Sequence, residues 1–164
     1  TNLNKNKVWE EKFINSNHMR IGLSWSGNPF HKNNHNRSMS LDDFSELLSL
    51  PFEFYSLQKE IPYEDLEILN NSKIIDHQNL LHDFSDTASL IKMLDVVISV
   101  DSVIAHLAGA LGKKTFLLLP EKSSFLWMHE RKDSPWYPSV KIFRQSTLGD
   151  WKKPMEELIC ELQS

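Results

Sequence analysis

Cysteine occurs once in the 164 residues, at Cys160, which excludes an internal disulfide and fits a reducing compartment. Basic residues are short too: 18 Lys and Arg stand against 22 Asp and Glu, a formal net charge of -4. No basic stripe of the kind that grips nucleic acid is present. No apolar run approaches the roughly 18 residues of a membrane span. The opening "TNLNKNK" lacks the apolar core of a signal peptide. Neither a G-x-G-x-x-G fingerprint nor a P-loop occurs, and there is no internal repeat. The chain does not begin with Met, which fits a fragment or a processed form. What is there is ordinary for one domain with one core: 40% hydrophobic and 24% charged residues.

Five short apolar runs stand out: "MRIGLSW" (19–25), "FEFYSL" (52–57), "KIID" (73–76), "DVVISV" (95–100) and "KTFLLLP" (114–120), with a weaker sixth, "VKIF" (140–143). Several are continuously apolar rather than alternating, as in strands buried on both faces of a parallel sheet. The segments between them read as helices. "SLDDFSELLSL" opens with Ser40 as an N-cap and acids in its first turn, and "SDTASLIKML" starts in the same way. The tail "GDWKKPMEELICELQS" sets Trp151, Met155, Leu158, Ile159 and Leu162 at helical spacing, with Pro154 suited to the first turn. Cys160 beside Ile159 reads as a small buried hydrophobe. The alternation predicts an α/β fold: a Rossmann-like parallel sheet of about six strands with helices on both faces. Trp25, Leu57, Asp76, Val100, Leu119 and Phe143 are expected near the strand ends. Residues 1–18 read as an N-terminal linker or helix and residues 19–164 as the domain.

"VDSVIAHLAGALGKKTFLLLP" (100–120) joins a strand to a helix through Asp101 and Ser102. Ligands of open α/β sheets bind outside the carboxyl ends of the strands, where a helix N-terminus offers free N–H groups to a phosphate. Ser102 and His106 lie one turn apart on one face, and helical side chains lean toward the N-terminus. His106 therefore leans toward that end. The same spacing also fits a plain cap and a satisfied core histidine. After the first strand come Ser24, Ser26, Gly27 and Asn28, then Arg37 and Ser38. Small polar residues and a glycine let backbone approach phosphate oxygens, and Arg37 adds a candidate bidentate contact. A plain loop fits this segment as well.

In order, "GLSWSGNPFHKNNHNRS", "FYSLQK", "HDFSDTASLIKMLDVVISVDSVIAHLAGALGKKTFLLLP" and "DSPWYPSVKIFRQSTLGDW" resemble the C-terminal domain of bacterial tetratricopeptide-repeat glycosyltransferases. That family is related to the ADP-heptose–lipopolysaccharide heptosyltransferases. The resemblance covers roughly residues 19 to 160. It implies one half of a GT-B architecture, the half that holds the nucleotide-sugar donor. The family pattern Asp-Thr followed by His-Leu-Ala is met by Asp101 and His106, with Ser102 in place of the Thr and its hydroxyl kept. The family's first turn is intact as Trp25 to Pro29. By resemblance, Ser26, Gly27, Asn28 and the start of the helix at Asp101 and Ser102 would face the diphosphate, with Ser24 and Arg37 beside them as the candidates named above. Gln58 and Lys59 would contact the nucleoside, and Asp83 and Phe84 would lie near the base. His106 would donate a hydrogen bond to the leaving group or hold the loop.

The resemblance implies an inverting displacement with a nucleoside diphosphate leaving group and no cofactor. The general base is expected outside the chain, in an N-terminal acceptor domain, so the domain alone would bind but hardly turn over. A tetratricopeptide-repeat partner segment, a cytoplasmic location or one peripheral to the inner membrane, and no nucleic-acid partner complete the expectation. An epimerase-like GT-B domain and a non-catalytic nucleotide-binding scaffold are the alternatives. His31 with His35, and His77 with His82 near Asp76 and Asp83, are conceivable metal ligands. The Asn-rich context after Pro29 argues against helical spacing for the first pair, and no metal is expected. In "SSFLWMHERKDSPWYP", Trp127 reads as packing and Arg131 as a partner of Asp133, while Trp136 and Tyr137 fit either a lid or the core.

Overall fold

In the computed structural model, which describes residues 3–13 and 17–164, the apolar runs form one sheet. The strands are β1 (Arg20–Ser24), β2 (Glu53–Ser56), β3 (Ile74–Ile75), β4 (Val96–Val100), β5 (Thr115–Leu119) and β6 (Val140–Arg144). Every pairing is parallel, in the order β3-β2-β1-β4-β5-β6. The expected strand ends all fall within one residue of the observed ones. β4 and β5 are buried at every position, which is why their sequences are apolar without alternation. β3 is an edge strand of two residues in which only Ile74 is buried. This is the Rossmann-like α/β fold.

The helices are α1 (Leu3–Lys12), α2 (Asn34–Arg37), α3 (Ser45–Leu48), α4 (Leu66–Asn71), α5 (Phe84–Met93), α6 (Val103–Ala110) and α7 (Lys152–Gln163). One core cluster joins Ile21, Leu23, Trp25 and Phe54 to Phe44, Met155 and Leu158 from α7 and its neighbours. A second joins Tyr55, Leu57 and Val97 to Leu90 and Ile91 of α5, Ile104 and Ala108 of α6, and Trp9 and Phe13. Side chains alternate across a strand, so Phe54 and Tyr55 serve opposite faces and both faces are covered. α1 thus packs into the same core: Trp9 and Phe13 are buried, and the Phe13 ring lies 4.8 Å from that of Tyr55. Residues 1, 2 and 14–16 of the expected N-terminal linker or helix lie outside the described residues.

Two local expectations are corrected. The helix after residue 82 is capped by Asp83 and begins at Phe84, two residues earlier than a Ser85 cap implies. Cys160 is exposed rather than buried. On α7 the buried stripe is Pro154, Met155, Leu158, Ile159 and Leu162. Each helical step turns about 100°, which carries residue 160 off that stripe. Ser40 does cap a helical turn, and its hydroxyl and Asp43 bond reciprocally across Leu41–Phe44. Among the described residues no helix is long and apolar enough to cross a membrane.

Candidate functional site

From β1 the chain runs outward to β2 and β3, then returns to lay β4 on the other side of β1. At that reversal the connections leaving β1 and β4 diverge and open a crevice at the carboxyl edge of the sheet. A cleft of about 810 Å³ lies there. It is lined by Ser24, Ser26, Gly27, Asn28, Arg37, Gln58, Lys59, Asp83, Phe84, Asp101, Ser102 and His106, so the candidate donor-site residues of the sequence come together in one place.

The turn after β1 is held from below and from the side. Trp25 points into the core, and its Nε1–H donates to Asp65 at 2.8 Å. Asp65 also accepts from the Leu41 N–H at 3.0 Å and the Ser40 hydroxyl at 3.3 Å, which satisfies a buried carboxylate. From the side, the Gln58 carboxamide brackets the turn. Its Oε1 accepts from Ser26 N–H at 3.2 Å, and its Nε2 donates to the carbonyls of Ser26 and Glu60 at 2.9 Å. Gln58 is buried, and its amide shapes the turn that lines the cleft. Asn28 Oδ1 accepts from Phe30 N–H at 2.9 Å and starts the next bend.

Gly27 matters for what it leaves out. A Cβ there would lie 2.7 Å from Arg37 Nη2 and 2.8 Å from Asn34 Oδ1. Its N–H donates to Ser38 Oγ at 3.0 Å. The close approach lets the Arg37 guanidinium cross the turn and donate from Nη1 to the Asp101 carbonyl at 3.0 Å. Among the described residues Arg37 forms no ion pair, and its buried Nε has no hydrogen-bond partner. A cation without a counter-charge therefore stands at the cleft wall.

β4 ends in Ser99 and Val100, and the Ser99 hydroxyl lies 3.1 Å from that of Ser102. Ser102 is the N-cap of α6 and accepts from Ile104 N–H at 3.2 Å, with Ser24 Oγ 3.5 Å away. The Ile104 N–H is held by the Ser102 hydroxyl and the Ala105 N–H by the Ser102 carbonyl at 3.2 Å, but the cap is neutral, so the positive end of the helix dipole, at Val103, carries no counter-charge from its cap. Asp101 turns aside, and its Oδ1 accepts from Trp127 Nε1–H at 2.8 Å. His106 stacks on Trp127 with centroids 4.8 Å apart and has Nδ1 3.3 Å from the Tyr137 hydroxyl. Trp127 is buried, as expected. Arg131 pairs with Asp133 at 2.7 Å, also as expected.

The other end of the cleft sets Leu57 and Leu81 beside Lys59, His82 and Asp83, with Phe84, 63% exposed, on the lip. The Lys59 ammonium donates to the Leu81 carbonyl. Asp83 caps α5 through Ser85 N–H at 2.8 Å and Asp86 N–H at 3.0 Å, and Asp86 answers to Asp83 N–H at 3.1 Å. Lys5 of α1 bonds both carboxylates, at 3.0 and 2.7 Å. The Lys5 ammonium, with the Asp86 amide, holds the Asp83 carboxyl below the usual carboxylate range. Burial pushes Asp86 up, but Lys5 and the amides of Asp83 and His82 outweigh it and leave it low.

His31 precedes α2 whereas His35 lies within it, so the two do not share a helical face. Among the described residues no group of three His, Cys, Asp or Glu side chains converges as a metal cluster. Around the cleft, Ser99, Ser38, Trp127 and Tyr137 hold parts that the sequence does not assign to them. Ser99 alone carries a signal, as a hydroxyl inside an otherwise apolar strand.

No protein-family model matches this chain. It is 33% identical over 86 residues to protein FlbA of Caulobacter vibrioides, a stretch that is 52% of this chain and 14% of FlbA. Its structure is similar to that of E. coli ADP-heptose LPS heptosyltransferase II, with a TM-score of 0.61 at 13% identity. That match covers 100% of this chain and 54% of the heptosyltransferase, so the chain spans about half the length of the solved structure and a seventh of FlbA. At this identity the likeness establishes a shared fold.

Proposed function

We propose that the chain is the nucleotide-sugar-binding domain of a GT-B glycosyltransferase, with the diphosphate of the donor held between the turn after β1 and the N-terminus of α6. The observation that carries this reading is the meeting, at the switch point of the sheet, of a neutral-capped helix start and an Arg37 guanidinium that has no carboxylate partner among the described residues. The end of the cleft with the exposed Phe84 ring on its lip suits the base, since an aromatic face stacks on any base. In this reading Ser24, Ser26, Gly27, Asn28, Arg37, Asp101, Ser102 and His106 serve the diphosphate, and Gln58, Lys59, Asp83 and Phe84 the nucleoside side.

The reaction is an inverting displacement. An acceptor oxygen attacks the anomeric carbon, the bond from that carbon to the diphosphate oxygen breaks, and the acceptor proton passes to a base. That base belongs to an acceptor domain outside this chain, in a longer protein that carries tetratricopeptide repeats and works at the cytoplasmic side. The part of the heptosyltransferase that this chain does not cover leaves room for such a domain. Within the chain, catalysis is charge stabilisation: Arg37, the α6 amides and His106 take up the negative charge that develops on the leaving diphosphate.

Titration of the chain with ADP, UDP and GDP, followed by amide chemical shifts, tests this. Shifts at 24–28 and 101–106 are expected, with weak affinity because half of the cleft is missing. Shifts confined to the opposite edge of the sheet, or none at millimolar ligand, overturn it.

A further inference from the structure

His106 presents its two ring nitrogens to two environments. Nδ1 lies 3.3 Å from the Tyr137 hydroxyl. Nε2 has no hydrogen-bond partner among the described residues, yet it is not one of the buried polar atoms left without one, so it opens on the cleft that His106 lines. The bond made by one nitrogen decides whether the other carries the proton. The Tyr137 hydroxyl has no second protein partner among the described residues, so Nδ1 is the protein acceptor within reach of its single proton. With Nδ1 accepting, the neutral imidazole carries its hydrogen on Nε2.

The ring is also clamped. Trp127 stacks on it at 4.8 Å and 23°, and Tyr137 meets it edge-on at 5.8 Å and 67°. Trp127 is in turn tied to Asp101 at 2.8 Å. Tyr137 sits where Gly109 leaves room, since a Cβ at Gly109 would lie 2.6 Å from Tyr137 Cγ. A helix residue without a side chain, and a stacked indole and a phenol from the connection between β5 and β6, thus hold one imidazole in one orientation.

We infer that Tyr137 is a positioning residue that fixes His106 as the Nε2–H tautomer, so that the imidazole offers the cleft a donor and not a lone pair. The inference rests on the reading of the cleft as a diphosphate site. A lone pair on Nε2 repels a phosphate oxygen, whereas Nε2–H bonds it. Tyr137 therefore selects for anions through His106 without touching the ligand.

The test is imidazole ¹⁵N–¹H correlation spectroscopy of the chain at about pH 8.5, above the ordinary imidazole range, with His106→Asn to assign the signal. The expected result is Nε2–H at His106 in the unmodified chain and a mixture of tautomers in Tyr137→Phe, which keeps the ring and its packing. Affinity for a nucleoside diphosphate should fall about three- to tenfold in that variant, the range of one hydrogen bond, while the uncharged nucleoside binds as before. An Nδ1–H tautomer in the unmodified chain, or no change of tautomer in Tyr137→Phe, overturns the inference. If the tautomer behaves as expected but the unmodified chain binds no nucleoside diphosphate, the diphosphate reading falls instead.

Discussion

The N-terminus of α5 is closed by carboxylates, whereas that of α6, which lines the same cleft, is capped by a neutral hydroxyl. On α5, Asp83 and Asp86 exchange hydrogen bonds with each other's amides and share Lys5. The helix end is satisfied and carries its own negative charge. On α6, Ser102 takes the Ile104 N–H, Asp101 is turned to Trp127, and Arg37 adds positive charge at the Asp101 carbonyl. Both are good caps, but only the second leaves the helix end electropositive. A helix N-terminus becomes an anion site by the choice of cap and by where the nearest carboxylate points.

The sharpest way to break this contrast is to give α6 the cap of α5. Asp caps as well as Ser, so Ser102→Asp should melt close to the unmodified chain. It sets a negative charge against the diphosphate. At contact distance like charges repel by about 1 kcal/mol in water and about 4 kcal/mol near a protein surface. Affinity for a nucleoside diphosphate should fall between roughly fivefold and almost a thousandfold, with the uncharged nucleoside little changed. Calorimetric titration of both ligands checks this, and retained affinity would remove α6 from the site. Arg37→Met comes next. Loss of one charge-assisted hydrogen bond predicts about a tenfold weakening and a shallower salt dependence. Gly27→Ala, whose Cβ would crowd Arg37 Nη2 at 2.7 Å, should move affinity in the same direction by less, because a flexible side chain end can shift. Ser102→Ala removes the cap without adding charge. Its expected signature is a stability loss of about 1 kcal/mol in denaturant unfolding.

These residues differ in how plainly the amino-acid sequence marks them. The strands are legible because a doubly covered parallel sheet makes apolar runs, and β4 and β5 are such runs. The turns at Ser24–Asn28 and Asp101–Ser102 are legible because they directly follow strands. The clamp on His106 is not. Tyr137 lies 31 positions away and reaches His106 only by the path of the loop after β5, which no local period encodes. Lys5 is 78 positions from Asp83, and nothing in "TNLNKNK" marks it as a partner. Gln58 is legible as a cleft residue, but its bond partners, the backbone of Ser26 and Glu60, follow from how two loops meet. Cys160 misleads because its neighbour Ile159 is buried and one helical step separates the core from water.

The smallest effect belongs to the α5 side, where the helix end already carries its counter-charge. Asp83 and Asp86 are held below the ordinary aspartate value, so near that value the unfolded chain binds more protons than the folded one. Their contribution is complete above the ordinary aspartate range and is lost as pH falls through their lowered values. Lys5 is raised above its ordinary value, first by Asp86 and then by Asp83, so its share is present below that value and is lost in strong alkali. The acid limb is the diagnostic one. Tyr55, under Phe13, is itself pushed up by burial and by its bond to Glu53, so the unfolded chain gives up this proton first and stability falls in alkali above the ordinary tyrosine value. Amide hydrogen exchange in α1 should therefore show protection, relative to intrinsic rates, that is steady near neutrality and falls below about pH 4. In Lys5→Met that acid step should shrink, and nucleoside diphosphate affinity should drop less than in Ser102→Asp, since exposed ion pairs are weak. An acid step of full size in Lys5→Met would mean that α1 is held by Trp9 and Phe13 alone and that the carboxylates of α5 owe their state to the helix amides.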